Sequence, residues 1–210
     1  MKQIGNLLKV QNESKKSSTS QEAWGWLEVK KTEIVAKYGD ANSFALKFNP
    51  SVQMKCAMNI EKALTGDAPT IKQLLYTYKI EQLQVWLMAQ IEDLNSYAGV
   101  KSKMTTPQMR ELAGIIIINT GYLKASEILL FFYMLKAGNF GGFYGTVDPQ
   151  KVGEYLIAFK SWRRQELDRV HHKHMLKERE RKRRAWQQTA ITREEYNKLR
   201  DNDAKAHPPQ

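Results

Sequence analysis

Six cations fall within eight residues at Lys177, Arg179, Arg181, Lys182, Arg183 and Arg184. Cations at this density can hold phosphates: each neutralised phosphate releases condensed counterions, and binding becomes steeply salt-dependent. Arg163, Arg164, Arg169 and Lys173 extend the series towards the N-terminus, and Trp186 follows it with a ring able to stack on a base. Nothing in the pattern encodes base specificity. The plainer reading is a solvated surface helix in which Glu178 and Glu180 relieve repulsion by pairing with cations one turn away.

Three other groups merit the same weighing. His171 and His174 share a helical face and can hold one transition metal. No Cys and no well-placed carboxylate pair completes a site, so no metal and no cofactor is expected, and the histidines read as conditional charge on a basic face. The run Gly138-Asn139-Phe140-Gly141-Gly142-Phe143-Tyr144-Gly145 suggests a phosphate cradle. It lacks the Gly-x-x-x-x-Gly-Lys-Ser/Thr spacing and no strand precedes it, so it reads as turn chemistry. Phe140, Phe143 and Tyr144 are then packed, or offered to a protein partner from a loop. Trp24 and Trp26 flank Gly25 and are either core residues or a docking surface, since Trp is common at interface hot spots. No nucleophile–base arrangement stands out, and no enzymatic activity is expected.

These residues must be positioned by helices. The chain has six Pro and twelve Gly in 210 residues, and good helix formers throughout. The expected fold class is all-α: a compact multi-helix domain over 19–165, with a long basic C-terminal helix projecting from it and a tail over 166–210. Residues 1–18 are too polar to offset their ordering entropy and are expected to be a disordered arm. Thr19 with Glu22 predicts a capping box for a helix running to about Lys37 and stopped by Gly39. Asn49-Pro50 predicts the start of one helix up to Gly66. Thr70-x-x-Gln73 starts a short helix, with a joint near Tyr78–Lys79 before a longer one that Gly99 ends. Thr106-Pro107 opens the next. Its Ile115–Ile118 run suits a strand by composition, but the flanks carry helix caps. Residues 124–137 are apolar all round, as in a helix at the middle of a core. Asp148-Pro149 starts the last long helix, amphipathic through Val152, Tyr155, Leu156, Phe159 and Trp162. After Leu176 the apolar stripe stops while helix formers continue to Gln188. Thr192-x-x-Glu195 begins a terminal helix.

The net charge of +11 is uneven: residues 160–186 hold eleven Lys and Arg against four acids. A local excess makes a local field and points to a polyanion partner. Cys56 is the only cysteine, which excludes an intramolecular disulfide. Leu112–Leu135 is cut by Asn119–Gly121 and Lys124 into pieces too short to span a bilayer. No membrane partner is expected, and the expected compartment is a reducing cytoplasm.

A set of residues carries a resemblance: Trp86-Leu87 with Leu94-Asn95, Gln108-x-x-x-Leu112-Ala113, Ser126-Glu127 with Phe131-Phe132, Gly138-x-Phe140-Gly141-x-Phe143-Tyr144-Gly145-x-x-Asp148, and Phe159 with Arg163. Over residues 70–164 these resemble a family of uncharacterised helical proteins of bacterial phages and mobile elements. The resemblance implies a replication or DNA-handling accessory, such as an initiation or helicase-loading factor, and assigns no functional residue. The expectation is therefore a non-enzymatic DNA-associated accessory protein that contacts DNA or RNA backbone without sequence preference and docks a protein partner. The alternative is a helical protein-interaction or structural module with no nucleic-acid partner.

Overall fold

The computed structural model describes residues 25–190 and 192–206. The expected disordered arm, the Thr19–Glu22 capping box, Trp24 and the end from His207 lie outside the described residues. Among those described there is no strand, only the isolated bridges Thr70–Lys124 and Ser102–Thr146. The all-α expectation holds. The chain divides into two compact units between Arg163 and Arg164.

In the first unit, helix α1 (25–38) stops at Gly39, whose φ of +81° suits glycine. Asp40 then caps α2 (Ala41–Lys47), accepting from the Ser43 N–H at 2.8 Å. The sequence reading has no helix here, because seven residues with one buried side chain, Phe44, carry no periodicity. Tertiary packing supplies the stability instead: the Phe44 ring meets Tyr38, Phe48, Tyr78 and Trp86 with centroids 4.7–6.1 Å apart.

The single helix expected after Asn49-Pro50 is three pieces. Asn49 caps a 3-10 turn at Pro50–Val52, followed by α3 (Gln53–Met58) and α4 (Ile60–Thr65). The break is at Asn59, in a non-helical conformation (φ −137°, ψ 76°), where its side chain accepts from the Lys62 N–H at 2.9 Å. A short polar side chain that caps the next segment competes with helix continuation.

The remaining boundaries follow the sequence closely. Thr70 and Gln73 form the expected capping box of α5 (Ile71–Thr77), and α6 (Ile80–Tyr97) begins after the joint at Tyr78–Lys79. Helix α7 (Thr106–Asn119) is capped one residue earlier than expected, by Thr105, whose N–H donates to Gln108 at 2.8 Å. The four isoleucines are helical. Ile116 and Ile117 are buried while Ile115 and Ile118 face water, as a 3.6-residue period requires.

Helix α8 (Ala125–Lys136) is the centre, with every residue but Tyr133 and Lys136 buried. It packs against α3, α4 and α6, and α6 packs in turn on α2, α5 and α7. Two polar clusters tie these elements together. In one, Gln53 donates to Gln90, while Gln90 and the Trp86 indole both donate to the Phe48 carbonyl at 3.1 and 2.8 Å. In the other, Glu127, fully buried, accepts from the Lys124 N–H at 2.7 Å and from Arg163 Nε at 2.7 Å. Arg163 also lies over the Tyr122 ring, 5.3 Å from its centroid.

The Glu127–Arg163 pair yields a stability prediction. Removing one partner of a buried pair leaves an uncompensated charge and costs about 3–5 kcal/mol, whereas replacing both with apolar residues of similar volume is often neutral. Glu127→Ala is expected to lower the urea-unfolding free energy by about 3 kcal/mol, and Glu127→Leu with Arg163→Met by much less. Equal losses in the two variants would mean that packing rather than charge compensation sets the cost.

Candidate functional site

Helix α9 runs without interruption from Pro149 to Thr189. Asp148 starts it, accepting from the Gln150 N–H at 2.9 Å, with Pro149 where a missing N–H costs nothing. Val152, Tyr155, Leu156 and Phe159 are buried, and Val170 is the last buried residue of α9. From His171 to Thr189 every side chain is exposed except Glu178, which is partly covered. Met175 and Leu176, apolar by type, are exposed with the rest.

The cations of this stretch do not form one stripe. At 100° per residue, Lys173, Lys177, Arg181 and Arg184 fall on one side, and Arg179, Lys182, Arg183 and Trp186 on the other. The first set spans ~16 Å along the axis at 1.5 Å per residue. Glu178 holds Arg181 through two hydrogen bonds of 2.8 and 2.9 Å and stands 3.9 Å from Lys182. The Arg181 hydrogen bond keeps the Glu178 carboxyl below the usual carboxylate range, and Glu178 in turn raises the guanidinium. Arg169 is held by Glu166. Among the described residues, Lys177, Arg179, Arg183 and Arg184 have no carboxylate partner. Trp186 is 69% exposed.

Arg163 does not join this group. Its guanidinium is committed to buried Glu127, so it serves the core and is unavailable to a phosphate. Arg164, the first residue of the second unit, is exposed. The three aromatics of the glycine-rich loop also part company. Phe140 and Phe143 pack on Tyr155 at 6.3 and 5.7 Å, whereas Tyr144 is 91% exposed. Trp26 is 52% exposed. Beside the loop runs Lys101-Ser102-Lys103, whose Ser102 N–H donates to the Gly145 carbonyl at 3.3 Å. Nothing in the sequence singles out these lysines, because the bridge joins segments more than forty residues apart in sequence.

His171, His172 and His174 are exposed, and among the described residues no three His, Cys, Asp or Glu side chains converge as a metal site. Burial pushes the Cys56 thiol up, away from the reactive thiolate. No described helix is long and apolar enough to cross a membrane.

A family model described as a family of unknown function (DUF6633) matches residues 103–205. The chain is similar to that family over just under half its length. The matched span takes in α7, α8, the glycine-rich loop, all of α9 and nearly all of α10 (Arg193–Ala206), so the C-terminal part of the core and the basic stretch fall within one match, and α1 to α6 lie outside it. Comparison with curated proteins found no match, and comparison with solved structures found none.

The two halves of α9 should differ in local stability, since exposed backbone hydrogen bonds open at far lower cost than those in a packed core. In native-state hydrogen exchange, amides of 153–159 are expected to be protected at least a hundredfold more than those of 177–188. Equal protection would show that the basic stretch is packed against something in solution.

Proposed function

We propose that this chain is a non-enzymatic, DNA-associated accessory protein whose C-terminal basic helix holds the nucleic-acid backbone. The observation that carries this reading is the exposed stretch of α9, with Lys177, Arg179, Arg183 and Arg184 lacking carboxylate partners and no buried face beyond Val170. A helix that buries nothing has no structural need for this charge density. A polyanion makes use of it, since phosphate contacts supply most of the affinity of sequence-independent binding. Cations on several sides of the helix suit contact with a backbone rather than with base edges. The interface consists of Arg164, Arg169, Lys173, Lys177, Arg179, Arg181, Lys182, Arg183, Arg184 and Trp186, without Arg163. The narrower roles of replication initiation or helicase loading rest on the phage and mobile-element resemblance.

A second reading, a protein-interaction module with no nucleic-acid partner, is favoured by the apolar side chains the core leaves in water, among them Trp26, Val85 and Ile118. Such residues mark protein-binding surfaces when they cluster.

Fluorescence anisotropy of the full-length chain against labelled single- and double-stranded DNA separates the two. The first reading expects micromolar or tighter binding at low salt. For four to six phosphate contacts on duplex, the slope of log affinity against log salt is about −4 to −5. Changing Arg179, Arg183 and Arg184 to Gln should flatten that slope by roughly 2–3. A version ending at Val170 should lose duplex binding. Absence of binding at low salt would overturn the reading in favour of the protein-interaction module.

A further inference from the structure

The glycine-rich loop between α8 and α9 is built to hold one aromatic ring in water. Gly138, Gly141 and Gly145 take φ of +73°, +124° and +76°, a region that L side chains rarely adopt. Gly141 is required twice over, since a Cβ there would stand 2.7 Å from the Tyr155 hydroxyl. That hydroxyl donates to the Gly142 carbonyl at 3.2 Å, and Phe140 and Phe143 pack on the Tyr155 ring. Phe140 also meets Phe159. The loop is thus pinned to the start of α9 from within. Its remaining aromatic, Tyr144, lies along Gly142, within 3.7–3.9 Å of where a Cβ there would stand, and is 91% exposed.

The neighbouring segment adds charge. Ser102 is bridged to Thr146 and donates to the Gly145 carbonyl, which sets Lys101 and Lys103 beside the residue that follows Tyr144. Both lysines are exposed and have no carboxylate partner among the described residues. The nearest acid along the loop, Asp148, is engaged in capping α9.

We propose that Tyr144, with Lys101 and Lys103, is a second contact for single-stranded nucleic acid: the ring stacks on an unpaired base and the lysines meet the adjoining phosphates. The ligand class rests on the function proposed above. An exposed ring on a loop pinned from within, beside a segment carrying two lysines, matches the stacking platforms that select single strands, whose bases are free, over duplex, whose bases are already stacked. An acidic peptide would use the lysines but has no planar base for the ring.

Anisotropy of the full-length chain with labelled (dT)20 and a 20-base-pair duplex tests this. Tyr144→Ala should weaken (dT)20 binding by about 5- to 150-fold, the range of one base–aromatic stack, with duplex binding held within twofold. Tyr144→Phe keeps the ring and should stay within about threefold of the parent for both probes. Lys101→Ala with Lys103→Ala should flatten the (dT)20 salt slope by about 1.4. A loss in Tyr144→Ala shared equally by duplex, or no loss at all while the Arg179, Arg183 and Arg184 variant weakens, overturns the loop proposal and leaves the basic-helix reading standing. The reverse pattern, loss at Tyr144 with the basic-helix variant unaffected, supports the loop and overturns the basic helix.

Discussion

A carboxylate with no exposure sits at the start of the most apolar helix of this protein, and much of the first unit is arranged around it. Taking Glu127 out of water costs several kcal/mol unless its lone pairs are met. They are met by the Lys124 N–H at the N-terminus of α8, where the helix dipole also favours negative charge, and by the Arg163 guanidinium from α9. The same corner satisfies carbonyls left over at the end of α4. The Lys124 ammonium donates to the Leu64 and Gly66 carbonyls at 2.9 and 2.8 Å, and the Ser126 hydroxyl donates to the Ala63 carbonyl at 2.6 Å. Helices α4, α8 and the first half of α9 are therefore held in register by one polar cluster, and the rings of Phe131 and Phe159 close over the apolar side of the same junction at 5.3 Å.

That cluster divides the arginines of α9 by environment. Arg163 and Arg164 are adjacent in sequence and identical in chemistry, yet one neutralises a buried acid and the other stands in water on the far side of the division between units. A count of charge along the chain includes both. Only burial of the partner carboxylate, thirty-six residues away, shows that the core has already used one of them.

The same distinction between local and distant causes decides what could be read from the sequence. Capping is local, so Thr70 with Gln73, Asp148 with Pro149, Thr192 with Glu195, and the stops at Gly39, Gly99 and Gly138 all appear where residue types place them. The isoleucine run resolves correctly because its flanking caps are also local. Helix α2 and the break at Asn59 were not legible. Seven residues are marginal as an isolated helix in any sequence, and α2 exists because Phe44 finds four aromatic partners. The Asn59 break keeps the apolar spacing of Val52, Cys56 and Ile60 while altering the backbone between them. The Tyr144 loop was legible as a turn, but not the bridge that brings Lys101 and Lys103 to it, since register between distant segments leaves no mark in composition.

The length of α9 has a physical account of its own. Starting a helix is the unfavourable step and extending it adds one hydrogen bond for each residue fixed. The packed half, from Pro149 to Phe159, supplies the start by burying Val152, Leu156 and Phe159, so the residues beyond Val170 need only favourable propagation. Ala, Leu, Lys, Arg, Glu and Gln provide it. Glu178 lies one turn before Arg181 and Lys182, the favourable order for a helical ion pair, and offsets part of the repulsion. The cations left without partners repel one another most strongly when the stretch is helical and their spacing is fixed. Any polyanion that neutralises them therefore stabilises the helix as it binds, and by the same linkage a more helical chain binds it more tightly. The stretch needs no buried face to be ordered, because it extends a helix already started by the packed half and is built of residues that favour propagation.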